Sequence, residues 1–381
     1  MKKYVLKDVA DIYSGATPRT NNKSYYENGN IAWITPKDLS GYAHKYISTG
    51  QRNITKEGYQ SCATTLLPKG TVLFSSRAPI GYAAIAGKEL CTNQGFKSFV
   101  CKEDMLSNQY LYYYLLKNKE NIKALGNGST FKEVSLNTLA NYEIELPALE
   151  EQKDIVHDLV ILDEKYENNC TMIANIERLI EYFYTKFFED KNKNYETIPL
   201  ADAMEIVTGG TPSTKNDTYW NNGVYDWYTP TDVTTCENMI ILSAKKKISI
   251  SGLANSGAKL IPARSVIMTS RATIGEAVIN LNEATTNQGM FALIPKDNRV
   301  TALWIYFWVK RNKQLIASVA NGSTFKEIYK KDFERLSIHI EEHAKNLFFK
   351  QTKKLFQFYE SLVRENTIIS ELRYKMLEAK F

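Results

Sequence analysis

The chain has 381 residues, with 48 Lys+Arg against 42 Asp+Glu for a net charge of +6, and 44% of its residues are apolar. That composition excludes a disordered or fibrous chain, and no stretch approaches the ~18 apolar residues of a membrane span. The length allows two domains, each able to bury its own core.

The N-terminal run MKKYVLKDVADIY carries lysines but no apolar h-region, so no signal peptide is expected. Five cysteines (Cys62, Cys91, Cys101, Cys170, Cys236) form an odd set without a C-x-x-C pair, which reads as reduced thiols in a cytoplasmic protein. The first ~145 residues mix short apolar runs, TVLFSS at 71–76 and YEIELP at 142–147, with the turn signals GATP, NGN, LPKG and GNGST. NQYLYYYLLKNK at 108–119 predicts a helix, so the globule reads as α+β.

After Pro147 the character changes. Residues 149–189 hold no Pro or Gly, and apolar residues fall at 155, 159, 162, 166, 173, 176, 180, 183 and 187. Steps of three, four and seven predict one narrow apolar stripe on a helix ~60 Å long.

The same text then returns 194 residues later. Thr17-Pro18 recurs as Thr211-Pro212, WITPKD at 33–38 as WYTPTD at 227–232, and NGSTFKEV at 127–134 as NGSTFKEI at 321–328. Residues 66–96 align with 260–290 without a gap, at 15 identical positions of 31. A repeat this long is a whole domain, because solenoid and propeller repeats run to ~20–50 residues. The second copy supplies its own strand (SVIMTS, 265–270), helix (ALWIYFWVKRNK, 302–313) and a long helix over 344–381 with Phe348, Leu355, Leu362, Ile369, Leu372 and Met376 on its stripe. The predicted layout is 1–148, 149–190, 191–343 and 344–381.

Charge divides along this layout. Residues 149–190 hold 11 acidic against four basic side chains, net −7, and 344–381 hold eight basic against four acidic, net +4. Opposite flanking charge favours pairing the two helices with each other. An antiparallel coiled coil relating two tandem globules by a pseudo-two-fold axis is expected, and such an inverted pair suits a split, inverted DNA site. The segments 1–148 (+6) and 191–343 (+3) are basic, consistent with a polyanionic partner or with plain solubility.

Catalytic signatures are missing. Four histidines (His44, His157, His339, His343) stand in no H-E-x-x-H or zinc spacing, and no P-loop, nucleophile elbow or dinucleotide fingerprint occurs. No metal site or catalytic residue is expected. The repeated text is instead rich in Thr, Ser, Asn, Gln, Arg and Lys, an inventory for phosphates and base edges.

In order, SGATP, WITPKD, LPKGTVLFSSRAPIG, TNQGF, GSTFKEV and LPALEEQ resemble the specificity subunit of a type I restriction–modification enzyme; all but the last recur at the offset. The resemblance spans the chain and implies two α/β target recognition domains joined by two long helices that act as spacer and docking surface. It implies double-stranded DNA as partner, without catalysis, and without membrane association. Two modification subunits that bind S-adenosylmethionine and methylate adenine would dock on the helices, and two motor–nuclease subunits would join for restriction; the chain itself would bind no cofactor. The rival readings are a DNA-acting enzyme with its own activity and a non-DNA tandem binding module.

Positions shared by both copies suit scaffold or phosphate contact, and divergent ones suit base reading. Arg77 and Arg271 are either DNA contacts or structural ion pairs. Lys132 and Lys326 are candidates for the DNA backbone, although Ser129 or Thr130 with Glu133 also fits a helix cap. Asn93 and Gln94, with Asn287 and Gln288, suit adenine edges or a tight turn. Trp33 and Trp227 read as core. The longest divergence, 39–60 against 233–254, is expected to be a base-contacting loop, with His44, Lys45 and Arg52 in one copy and Lys245, Lys246 and Lys247 in the other. Thr17, Arg19 and Lys37, with Thr211, Ser213 and Thr231, complete the candidate set through the T-P turns.

Overall fold

The strand signal at 71–76 becomes the strand Val72–Ser75, whose four residues are all buried. In the computed structural model of the chain, which describes residues 1–128, 132–189, 195–296, 299–322 and 326–381, the reason is cover on both faces. Val72 and Phe74 pack with Leu111 and Leu115 of the helix Asn108–Lys117, while Leu73 packs with Ala32, Ile34 and Leu39 on the other side. A strand covered on both faces is a continuous apolar run rather than an alternating one. Val266–Thr269 repeats the pattern, with Val266 and Met268 facing one core and Ile267 the other.

The chain divides into two units, Met1–Asn168 with Thr367–Phe381, and Asn169–Asn366. In the first, a five-stranded sheet runs Ala10–Ser14, Phe96–Cys101, Val72–Ser75, Ala83–Ala86, Tyr46–Ile47, antiparallel except for the last pair. A three-stranded sheet runs Arg52–Ile54, Ile31–Ile34, Cys91–Thr92, and Lys2–Val5 pairs with Glu143–Leu146. The second unit repeats all three sheets in the same order, with Met204–Thr208, Val266–Thr269 and Ala277–Asn280 each displaced by 194 residues from its counterpart. The predicted α+β class and duplication are therefore structural.

The first long helix is Leu149–Phe188 and the second Glu342–Lys380, two residues earlier at its start than the stripe predicts. The expected boundary at 190/191 lies outside the described residues. Both compact units take part of each helix. Within the first unit Asp158 meets Lys380 at 2.8 Å and Asp163 meets Arg373 at 2.6 Å, so the segments run antiparallel. Within the second, Asn169 meets Asn366 and Tyr184 packs on Phe348, again antiparallel.

The seam differs from its prediction. Leu162 and Tyr166 are only partly buried, whereas Asp163 (2% exposed) and Asn169 (0%) are in it. Leu372, expected on the second stripe, is 44% exposed. A stripe counted on apolar residues misses positions where a polar group is buried with a partner.

Candidate nucleic-acid interface

Three of the repeated motifs converge on one surface of each unit. Gly15 crosses so close to the backbone that a Cβ there would lie 2.2 Å from the Thr92 carbonyl, and Ala16 N donates to that carbonyl at 3.1 Å. Gly209 crosses Asn287 and Thr286 equally closely, with Gly210 N donating to Thr286 at 2.9 Å. The close crossing sets Thr17 beside Gln94 and Thr211 beside Gln288, and each threonine hydroxyl hydrogen-bonds the glutamine Oε1. The glutamines are exposed, and the contact holds each side chain on this surface.

The neighbouring asparagines are turn residues. Asn93 Oδ1 accepts Gly95 N at 2.9 Å and Asn287 Oδ1 accepts Gly289 N at 2.9 Å. Of the two readings left open by the sequence, the geometry favours the turn for Asn93 and Asn287, and leaves Gln94 and Gln288 as the outward amides.

WITPKD builds the adjoining wall. Asp38 accepts the Thr35 N–H at 2.7 Å and its hydroxyl at 2.6 Å, a capping box with proline at the first helical position. The other oxygen of Asp38 accepts Gln51 N at 2.7 Å, tying the wall to the divergent window. Asp232 does the same for Thr229 and Lys245. Lys37 and Thr231 stand exposed on these turns, as do Arg19 and Ser213 on theirs. Trp33 and Trp227 are core, 4% and 7% exposed, each donating Nε1 to a T-P turn carbonyl at 3.0 Å.

Arg77 faces this wall. Thr35, Pro36, Lys37, Arg77, Asn93 and Glu133 line a cleft of about 460 Å³. Arg77 lies 3.7 Å from Glu133, and that carboxylate is shared with Lys97 at 3.3 Å, a lysine only 5% exposed. In the second unit Phe291 stands where Lys97 would be, and Glu327 holds Arg271 at 2.6 and 2.7 Å. Both arginines are therefore in ion pairs, Arg271 the more tightly. Glu133, Glu327 and Lys97 were not among the candidates; the glutamates had a signal, since GSTFKE repeats at the offset. Lys132 and Lys326 are exposed beside these glutamates, whereas the Ser129 and Thr130 cap lies outside the described residues.

The divergent window is not a free loop. Residues 39–60 contain Tyr46–Ile47 in the large sheet, Arg52–Ile54 in the small sheet and the helix Lys56–Gln60; residues 233–254 contain Ile240–Ile241, Lys247–Ile248 and Ile250–Ala254. The scaffold is constant and its exposed side chains differ. Arg52, Lys245, Lys246 and Lys247 are exposed; Lys247 lies 3.7 Å from Asp226.

One candidate is corrected. Lys45 is 1% exposed, its ammonium 3.0 Å from Asp163 and 3.0 Å from the Tyr113 hydroxyl. Burial lowers its pKa, Asp163 opposing the shift, and no phosphate reaches it. His44 bonds Glu167 of the first long helix at 2.7 Å but keeps 31% of its side chain exposed, so it stands at the helix–globule junction without being buried there.

No helix among the described residues is long and apolar enough to cross a membrane, and no group of three or more His, Cys, Asp or Glu there is placed to hold a metal ion.

Over residues 1–178 and 192–372 the chain matches the family model described as Type I restriction modification DNA specificity domain. The MjaIX specificity subunit of Methanocaldococcus jannaschii is 37% identical over 238 residues, which are 57% of this chain and 54% of the relative. The EcoprrI specificity subunit of Escherichia coli is 31% identical over 112 residues, 29% of this chain and 27% of the relative. The matches span at most about half the length of these relatives. The crystal structure of a type I restriction–modification S subunit from M. genitalium aligns over 100% of this chain and 96% of its own, with a TM-score of 0.64 at 16% identity, a likeness of fold.

Proposed function

Because the chain belongs to the type I restriction–modification DNA specificity family, we propose that it is the non-catalytic DNA-recognition subunit of such a system. Each unit reads one half of a split duplex target, with 1–148 and 191–343 as target recognition domains and 149–190 and 344–381 as spacers. The long helices set the separation of the half-sites and dock two modification subunits, which carry S-adenosylmethionine. Two motor–nuclease subunits complete the assembly. The chain binds no cofactor and acts in the cytoplasm.

One observation carries the reading. An outward glutamine hydrogen-bonded to a threonine, beside an arginine held by a glutamate, occurs twice at one offset. These groups are donors and acceptors without an acid–base pair, which suits recognition rather than bond-breaking. Base-reading diversity then falls to the exposed side chains of the divergent windows.

The test is competition binding at fixed salt, using the chain alone and with its modification subunits. Alone, it binds DNA weakly and with a steep salt dependence; with the subunits, discrimination rises as the protein closes on the duplex. Binding indifferent to salt, or S-adenosylmethionine binding by the isolated chain, contradicts the proposal.

A further inference from the structure

Each unit seats an exposed cation on an aromatic ring at the same place. Arg52 lies with its guanidinium carbon 3.9 Å from the centroid of the Tyr26 ring, and Lys246 with its ammonium 5.7 Å from that of Trp220. Tyr26 and Trp220 are 194 residues apart, as are Arg52 and Lys246. The cation and the ring change together between the copies, while the strands around them keep their pairing.

The rings are fixed platforms. Tyr26 donates its hydroxyl to the Pro18 carbonyl at 2.7 Å and packs edge-on against Trp33 at 6.0 Å. Trp220 donates Nε1 to the Ser213 carbonyl at 3.0 Å and packs edge-on against Trp227 at 5.0 Å. Each ring thus joins the buried tryptophan to the T-P turn, and the cation above it belongs to the divergent window.

The two cations offer different chemistry from that platform. A guanidinium lying on a ring keeps its N–H donors in its own plane, and its fork matches two acceptors at once, as on the O6/N7 edge of guanine. An ammonium is a point donor with no such fork. A backbone contact has no need of this difference, because phosphates carry no sequence information.

Resting on the DNA-recognition reading above, we propose that Arg52 on Tyr26, and Lys246 on Trp220, are specificity-determining pairs, each reading a base edge in its own half-site. The ring lies outside the window that carries the cation. A window transferred alone therefore seats a lysine on a tyrosine, or an arginine on a tryptophan.

The experiment uses the full chain with its modification subunits and selects from duplex DNA randomised in both half-sites at one salt concentration, with melting temperatures in parallel. The double variant Tyr26→Trp with Arg52→Lys shifts base preference about tenfold at one or two adjacent positions of one half-site and leaves the other intact. Lys246→Ala relaxes one position of the opposite half-site. Uniform weakening on all sequences, with a salt slope smaller by about one unit, overturns the proposal in favour of a backbone contact. Unchanged selection with a lowered melting temperature overturns it in favour of a purely structural pair. A wild-type assembly with no selective DNA binding overturns the recognition reading itself, and this inference with it.

Discussion

Asn169 donates its side-chain amide to the side-chain oxygen of Asn366 at 2.9 Å, joining residues 197 positions apart within the helix seam of the second unit. Both are buried, at 0% and 9% exposure, and Asn169 also donates to Glu365 at 2.8 Å. A polar pair in an apolar seam contributes little net stability but penalises every other register, because sliding by one turn separates the amides from their partners.

Asn169→Leu alone should lower stability by about 1–2 kcal/mol, since it removes one partner from the buried Asn366 and from the partly buried Glu365. The double change with Asn366→Leu should recover most of that loss while admitting more than one register. Chemical denaturation reads the first effect, and cross-linking between cysteines introduced on the two helices the second. A single register in the double variant would show that the asparagines do not set it.

Lys45 is the corresponding polar element of the first unit. Met239 stands at its place in the second, so the position tolerates an apolar side chain there. Lys45→Met should cost about 3 kcal/mol, because Asp163 keeps Arg373 but loses a buried partner. The folded ammonium titrates below its usual 10.5, so between its folded and unfolded pKa values the folded state binds fewer protons. Wild-type stability should therefore rise relative to Lys45→Met as pH increases through that window. Denaturation of both chains across alkaline pH checks the sign.

Arg77 and Arg271 should behave differently. Lys97 shares Glu133, so Arg77→Ala should reduce the salt slope of DNA binding by about one unit. Arg271, held twice by Glu327 but nearly half exposed, should instead show a stability loss of about 0.5–1 kcal/mol and a smaller change in slope. Salt titrations and melting curves of both variants separate the two effects.

Exchanging residues 39–60 with 233–254, with Lys45 and Met239 each kept in its own unit, should preserve folding, because each window supplies the same two strands and short helix and the buried Lys45–Asp163 pair stays intact. The half-sites recognised should change, and subunit assembly should not. Sequencing of methylated sites shows the outcome, and retention of both original half-sites would rule the window out as a principal reader.

Cutting the chain between residues 189 and 195 should leave an N-terminal half with a folded globule and an uncovered helix seam. That half should self-associate more strongly as salt screens its net −7 helix, and should prefer the C-terminal half at low salt. Sedimentation of the halves, alone and mixed, at two ionic strengths is the measurement. A monomeric N-terminal half at high salt contradicts pairing through the seam.

What the sequence by itself determined was whatever is written locally or twice. The 194-residue offset revealed the duplication, a Pro- and Gly-free run and its recurring apolar stripe revealed the two long helices, and Trp33 and Trp227 read as core. The Thr35–Asp38 cap also had a local signal, T-P-x-D with proline inside the helix start. Tertiary structure alone decided which polar side chains are inside. Lys45 meets Asp163 across 118 positions, Lys97 meets Glu133 across 36, and Asn169 meets Asn366 across 197. A lysine with no visible partner reads as a solvated cation, and only its distant carboxylate makes burial affordable. The same distance hid the proposed recognition surface: Thr17 and Gln94 are 77 residues apart, and Tyr26 meets Arg52 only because a turn and a strand fold over one buried tryptophan.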